Sequence, residues 1–274
     1  MRKKNPLFYI FLWCISLFSF LPLFWIIVSS LKTKEQILSI PPVWKFEPVF
    51  QNFINLFKIP DFLRQLTNSA VISVSAVSIA LVVSFLASYS FSRLKPKGTS
   101  LIMFLLLSMR MVPSSAVVIP VFLMYSAFGW KGNYLGIILF YTVFSIPFSI
   151  WILKGFMDGV STKFDETAIV NGGSRMHVIF GVILPQVKPG LVAAFIFNII
   201  FVWNEFIFNF ILGGRKTRTI PVALANGLHT ASGLDWTFLA SLTTVYILPL
   251  LLFLFFFQKY LLVGMTFGTV RGDV

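Results

Sequence analysis

The chain has 274 residues, 57% of them hydrophobic and only 11% charged, with a mean hydropathy of +0.88. Soluble domains carry about 25% charged residues, so this chain has too little polar surface to face water, and its composition is that of a polytopic membrane protein. Its net charge of +13 sits in short clusters between apolar runs, which suits basic loops held in the cytoplasm and leaves no basic-aromatic patch for nucleic acid; the single cysteine, Cys14, excludes a disulfide framework and a thiolate metal site.

Met1-Arg2-Lys3-Lys4 is followed by an apolar run from Leu7 to Leu31. The apolar core of a signal peptide spans roughly 7–15 residues, so this longer run reads as an uncleaved first span. Six runs approach the ~20 residues that cross a bilayer: 7–31, 67–92, 100–127, 134–157, 189–213 and 237–262. No ten-residue alternation of a membrane β-barrel occurs. An even number of spans puts both ends on one side. The basic clusters Arg2–Lys4 and Arg93–Lys97 assign that side to the cytoplasm. The expected fold is therefore a single all-α transmembrane domain over 1–274, N-in and C-in.

Between spans one and two, residues 32–66 hold Pro41, Pro42, Pro48 and Pro60 and suit short interfacial helices outside. Span two carries Ala76, Ala80, Ser84 and Ser88 at four-residue spacing, a seam where helix backbones can approach closely. Its partner could be another helix of this chain or a second subunit. Span three holds Arg110, Pro113 and Pro120. Together with Pro147 and Pro249 in later spans, these prolines are expected to kink their helices.

Residues 158–188 form a charged island. Ser161 or Thr162 can cap a helix whose first turn holds Asp165 and Glu166. Phe164, Ala168, Ile169 and Gly172 then share a face. Gly172-Gly173 ends that helix, a second helical turn follows to Leu184, and Pro185 and Pro189 lead into span five. On physical grounds the loop is either a helix lying on the headgroups or a docking element.

Span five contains Glu205 with Asn198, Asn204 and Asn209. An ionisable residue there costs about 2.5–3.5 kcal/mol on insertion scales, so it faces the bundle or a cavity. Glu205 and Asn204 could line a solute path, or Glu205 could form an interhelical lock with Arg110. Gly213-Gly214-Arg215-Lys216-Thr217 lacks the first glycine of a phosphate loop and has no strand before it, so no nucleotide site is expected. His177 and His229 have no partner at metal-ligand spacing, and no catalytic set stands out. An intramembrane enzyme would have only Arg110 and Glu205 to work with.

Glu166-x-Ala168-x-x-x-Gly172, with Val182-Ile183-Leu184-Pro185 at the following interval, resembles the "EAA" loop of the importer permeases of ATP-binding-cassette transporters. The pattern departs from the usual one at Thr167, where Ala is common, and at Val182, where Ile is common. Trp203-Asn204-Glu205-Phe206 resembles a signature of sugar-importer permeases of the maltose-permease type, and Gln258–Leu261 with Gly264–Gly272 resembles the end of that group. The likeness implies six transmembrane helices in the type I importer (MetI-like) permease fold, in the inner membrane. It implies that Asp165, Glu166, Ala168, Gly172, Leu184 and Pro185 belong to a coupling element. That element would dock on a cytoplasmic ATPase subunit and carry its motion to the spans. Further implied partners are a second, similar permease forming a heterodimer, two ATP-binding subunits, membrane lipid, and an outer solute-binding protein touched by Arg215, Lys216 and Arg218. The implied activity is translocation of a sugar or related polyol, with another solute such as glycerol phosphate as the alternative. The chain itself would be no enzyme and would need no cofactor.

Overall fold

The computed structural model describes residues 6–227 and 235–266. The basic cluster Arg2–Lys4, His229 and the Phe267–Gly272 part of the tail motif lie outside the described residues. All described elements are helical. Five helices are long and apolar enough to cross a membrane, or six if one bent pair counts as a span. By contact the chain divides into two compact units, residues 1–66 with 220–249 and residues 67–219 with 250–274.

In the first unit, α1 (Pro6–Ser30) is apolar on every side, as a helix bathed in lipid must be. It ends where polar partners begin. Asn52 Nδ2 donates to the carbonyls of Ser30 and Lys32 at 2.8 and 3.0 Å. The Lys32 ammonium is buried among the rings of Trp25, Trp44 and Phe46, 5.0–5.9 Å from their centroids. The expected short helices are present as α2 (Lys34–Leu38), opened by a Thr33/Gln36 capping box, and α3 (Gln51–Lys58). The proline-rich stretch between them is non-helical. Asp235 caps the start of α13 (Trp236–Thr266) through the amide of Phe238 at 3.0 Å.

The second unit holds the functional features. The long helix α4 (Phe62–Tyr89) runs on as a π-helical turn to Leu94. Its small-residue seam faces α7 (Tyr134–Asp158) of the same chain. Ser84 and Ser88 donate to the carbonyls of Ile146 and Ile150, and Thr142 donates to that of Ala76. Internal packing therefore accounts for the seam.

The third span is not one helix. α5 (Thr99–Ser108) passes through a 3₁₀ turn, Met109–Met111, and meets α6 (Ser114–Ala127) at 94°. Pro113 explains the break. It lacks an N–H and pushes Val112 out of the helical region, to ψ 122. Pro120, Pro147 and Pro249 all sit inside continuous helices.

Span five also departs from its expected bounds. α9 (Arg175–His177) continues through a π-helical stretch into α10 (Leu184–Trp203), so the apolar helix begins well before residue 189. Pro185 occupies the first turn of α10 and Pro189 lies within it. The π-helical register absorbs the missing amide at Pro185. At the other end α10 stops at Trp203, and a separate short helix, α11 (Ile207–Leu212), follows. After it come the turn at 213–219 and α12 (Ile220–Gly227), which belongs to the first unit.

α7 and α10–α11 run antiparallel and touch in order along their length. The Phe156 ring covers Gly190, where any Cβ would fall 2.5 Å from the ring. Asn198 donates to Ser149 at 3.0 Å. Phe144 stacks on Phe201, with centroids 5.1 Å apart and planes 7° apart. Tyr141 bonds Glu205, and Tyr134 bonds the carbonyl of Lys216 at 2.9 Å.

Candidate functional site

Three features answer to the residues singled out above: the 158–188 loop, the break after Trp203, and the turn at 213–219. The loop folds as a short helix, a glycine turn and a second helix. α8 (Lys163–Val170) begins with the amides of Asp165 and Glu166 on the carbonyl of Thr162, at 3.0 and 3.1 Å. The expected side-chain cap is weak, with Ser161 Oγ 3.4 Å from the amide of Lys163. At the far end Gly172 takes φ +81. Its amide bonds Ile169 O at 2.9 Å and that of Gly173 bonds Ala168 O at 2.9 Å. This left-handed closure needs glycine.

The two acids of α8 have different fates. Asp165 is buried, and its Oδ2 accepts from Arg93 Nε at 2.7 Å. The same guanidinium donates to the carbonyls of Met157 at 3.1 Å and Val160 at 2.9 Å. Arg93 thus ties the end of α4, the end of α7 and the first turn of α8 into one knot. Beside it Asp158 accepts from Ser92 and Lys154, each at 2.7 Å. Glu166 is exposed, as are Gly172 and Pro185, whereas Ala168 and Leu184 are half-buried. Apolar side chains stand outward on the same loop: Val170 is 87% exposed and Met176 66%.

The Trp203–Phe206 motif is the break itself. Asn204 and Glu205 end α10, and the Glu205 carboxylate accepts from the first free amides of α11, Phe208 at 3.0 Å and Asn209 at 3.2 Å. It also accepts from the buried hydroxyl of Tyr141. An acid costly in hydrocarbon is here a helix cap. The expected pair with Arg110 is not formed. Arg110 instead lies on the faces of Phe144, Phe148 and Phe201, 4.6–5.4 Å from their centroids, at the bend between α5 and α6. It borders a cavity of about 230 Å³. Asn204 is exposed, and its Nδ2 donates back to Ile200 O at 2.7 Å.

The turn bearing Arg215, Lys216 and Arg218 leaves all three residues exposed while pinning their backbone. Asn68 Nδ2 donates to the carbonyls of Lys216 and Arg218, both at 2.8 Å. Its Oδ1 lies 2.7 Å from the Tyr134 hydroxyl. Asn209 donates to Thr217 O at 3.1 Å and accepts from the amide of Thr219 at 3.0 Å. None of Asn68, Tyr134 or Asn209 carries a sequence signal beyond being polar in an apolar run.

These features define a multi-pass helical membrane protein with a firmly anchored, partly apolar loop at one end of a broken-helix bundle. Residues 80–266 match the family model described as binding-protein-dependent transport system inner membrane component. The chain is 30% identical to a probable ABC transporter permease of Sinorhizobium fredii, over 98% of this chain and 97% of that one. It is 28% identical to the trehalose/maltose transport system permease MalG of Thermococcus litoralis, over 92% and 91%. Its fold matches a chain in the crystal structure of a bacterial ABC transporter involved in the import of the acidic polysaccharide alginate. The TM-score there is 0.76 at 20% identity, covering 93% of this chain and 95% of that one. The chain belongs to the family of binding-protein-dependent transport system inner membrane components.

Proposed function

We propose that this chain is one of two paired permeases of an importer that moves a sugar or related polyol by alternating access, powered by ATP hydrolysis on separate subunits. The observation that carries the reading is the 158–188 loop. It is a short closed helix with outward apolar side chains, tied at its base to the ends of two spans by Arg93. Such an element can transmit a push, and a membrane-surface helix has no need of the tie. In this reading Glu166, Ala168 and Gly172 meet the cytoplasmic ATPase, with Leu184 and Pro185 behind them. Asp165 holds the element to its own chain. The turn at Arg215, Lys216 and Arg218 faces the solute-binding protein. The sugar class draws support from relatives named for trehalose/maltose and diacetylchitobiose transport.

Gly172→Asp tests the coupling. No atom lies within 4 Å of a Cβ at this position, so in the isolated chain the substitution costs only the left-handed strain, about 1 kcal/mol. In the full complex it places bulk and charge in the docking cleft. The complex assembles, but solute-stimulated ATP hydrolysis is lost. Stimulation at the unsubstituted level overturns the assignment.

A further inference from the structure

The Arg110 cavity has an unanswered charge. Among the described residues the Arg110 guanidinium makes no hydrogen bond and no ion pair; its contacts are the three phenylalanine faces. A guanidinium carries five N–H donors and no acceptor. Eleven residues beyond the start of α5 at Thr99, it lies about 16 Å along the helix axis, near the middle of a hydrocarbon layer ~30 Å thick. Contacts with aromatic faces contribute about 0.5–2 kcal/mol each, which can offset the insertion cost but satisfies no donor.

The rest of the cavity has the opposite character. Its walls are Val117, Val121, Phe140, Val143, Phe208 and similar apolar side chains with the Met109 thioether, and no side-chain oxygen or acid is among its described lining. The site therefore offers donors only. A neutral sugar brought there would bury hydroxyl donors with nothing to accept them, at about 1–3 kcal/mol each. A carboxylate, sulfonate or phosphate has only acceptors, and its planar or trigonal oxygens match a guanidinium fork.

We infer that this cavity receives an acidic group of the transported solute, so that the cargo is an anionic glycan such as a sugar acid. The inference rests on the permease reading above and specifies its substrate class. The mid-membrane depth puts Arg110 out of reach of lipid headgroups. A carboxylate from a partner helix would need the guanidinium alone. The space beside it, about 230 Å³, is several times the ~30 Å³ share of one water and is room enough for the acidic group, with the hydroxyl-bearing remainder of the solute outside the hydrocarbon walls. The 94° bend of α5 against α6 opens that room.

The test uses the complete transporter with its binding protein in proteoliposomes. The probes are glucuronate, galacturonate and digalacturonate, each paired with its neutral counterpart. ATP-dependent uptake of at least one acid, preferred over its neutral counterpart, is expected. Arg110→Gln reduces the acid-over-neutral ratio at least tenfold. Arg110→Lys, which keeps the charge without the fork, falls between. Val143→Trp fills the cavity while sparing Arg110 and lowers acid uptake similarly. Co-purification of the partner subunits checks assembly of each variant. Uptake of neutral sugars alone, or a ratio unmoved by both Arg110→Gln and Val143→Trp, overturns the acidic-cargo inference and leaves the permease reading intact. Equal loss of acid and neutral uptake with weakened subunit association in Arg110→Gln also overturns it, in favour of a pair with a partner carboxylate. No ATP-dependent uptake of any probe, acidic or neutral, overturns both.

Discussion

Replacing Arg93 with methionine should loosen the 158–188 loop without touching its outer surface. Arg93 bonds Asp165 at 2.7 Å, with the two side chains only 8% and 12% exposed, and it bonds two main-chain carbonyls. Removing one partner of a buried pair costs about 3–5 kcal/mol, because the remaining charge stays desolvated. Here the loss is sharpened by Asp165 Oδ1, which is buried and has no hydrogen-bond partner among the described residues. Both charged side chains keep a little exposure, so the lower end of that range applies. About 3 kcal/mol corresponds to a roughly 150-fold rise in the open population of α8, at 1.36 kcal/mol per tenfold. Hydrogen exchange of the 163–171 peptide in the assembled transporter reads this directly. Arg93→Met should lower its protection on the order of 100-fold, and solute-stimulated ATP hydrolysis should fall with it. The double variant Arg93→Met/Asp165→Leu removes the orphaned charge and should recover much of the protection, though not the bridge to α7. Exchange within about threefold of the parent in Arg93→Met, or a double variant no better protected than the single, would refute the reasoning.

Two further outcomes follow from the other end of the molecule. Glu205→Ala strips the amides of Phe208 and Asn209 of their cap and leaves the Tyr141 hydroxyl unanswered. At about 2 kcal/mol the melting temperature should fall by roughly 4–8 °C, and an unshifted melting curve would show that the cap carries no stability. Asn68→Ala releases two carbonyls of the 213–219 turn, costing about 1–3 kcal/mol. The concentration of solute-binding protein needed for half-maximal ATP hydrolysis should rise about tenfold. An unchanged half-maximum would mean that the turn does not meet that protein.

The apolar runs, their order and the charged loop were legible because hydrophobic length and the glycine turn at 172–173 are local properties. The family likeness was equally legible in the Glu166–Pro185 and Trp203–Phe206 stretches. What the sequence hid was partnership. Glu205 reads as a charge seeking an opposite charge, so Arg110 was the natural candidate. Yet its partners are the Tyr141 hydroxyl and two main-chain amides that become free only because α10 stops at Trp203. Arg93 reads as one of several topological basic residues, and nothing local distinguishes it from Lys95 or Lys97. Its role comes from Asp165, 72 positions away. Pro113 was visible as a kink, but four prolines shared that signal and only this one ends a helix, because the extended Val112 precedes it. Pro185 reads as a helix entry, whereas the π-helical stretch before it lets the helix begin at Arg175.

The pairing of α7 with α10 and α11 connects these details. The Arg93 knot fixes one end of α7 to the 158–188 loop, and the Tyr134 hydroxyl fixes the other to the 213–219 turn. Between them Phe156, Ser149, Phe144 and Tyr141 meet Gly190, Asn198, Phe201 and Glu205 in strict antiparallel order. Two helices joined at so many levels move as one rod, since sliding by a single turn would break every contact together. The break at Asn204–Phe206 does not weaken the rod, because Glu205 and Tyr141 splice it. The Arg110 cavity lies beside the rod, between Phe144 on α7 and the bent α5–α6 pair. In the permease reading proposed above, a push at α8 would displace one wall of the cavity as a unit. The opposing wall bends at Pro113, which lets the volume around Arg110 change without unpacking the helix pair.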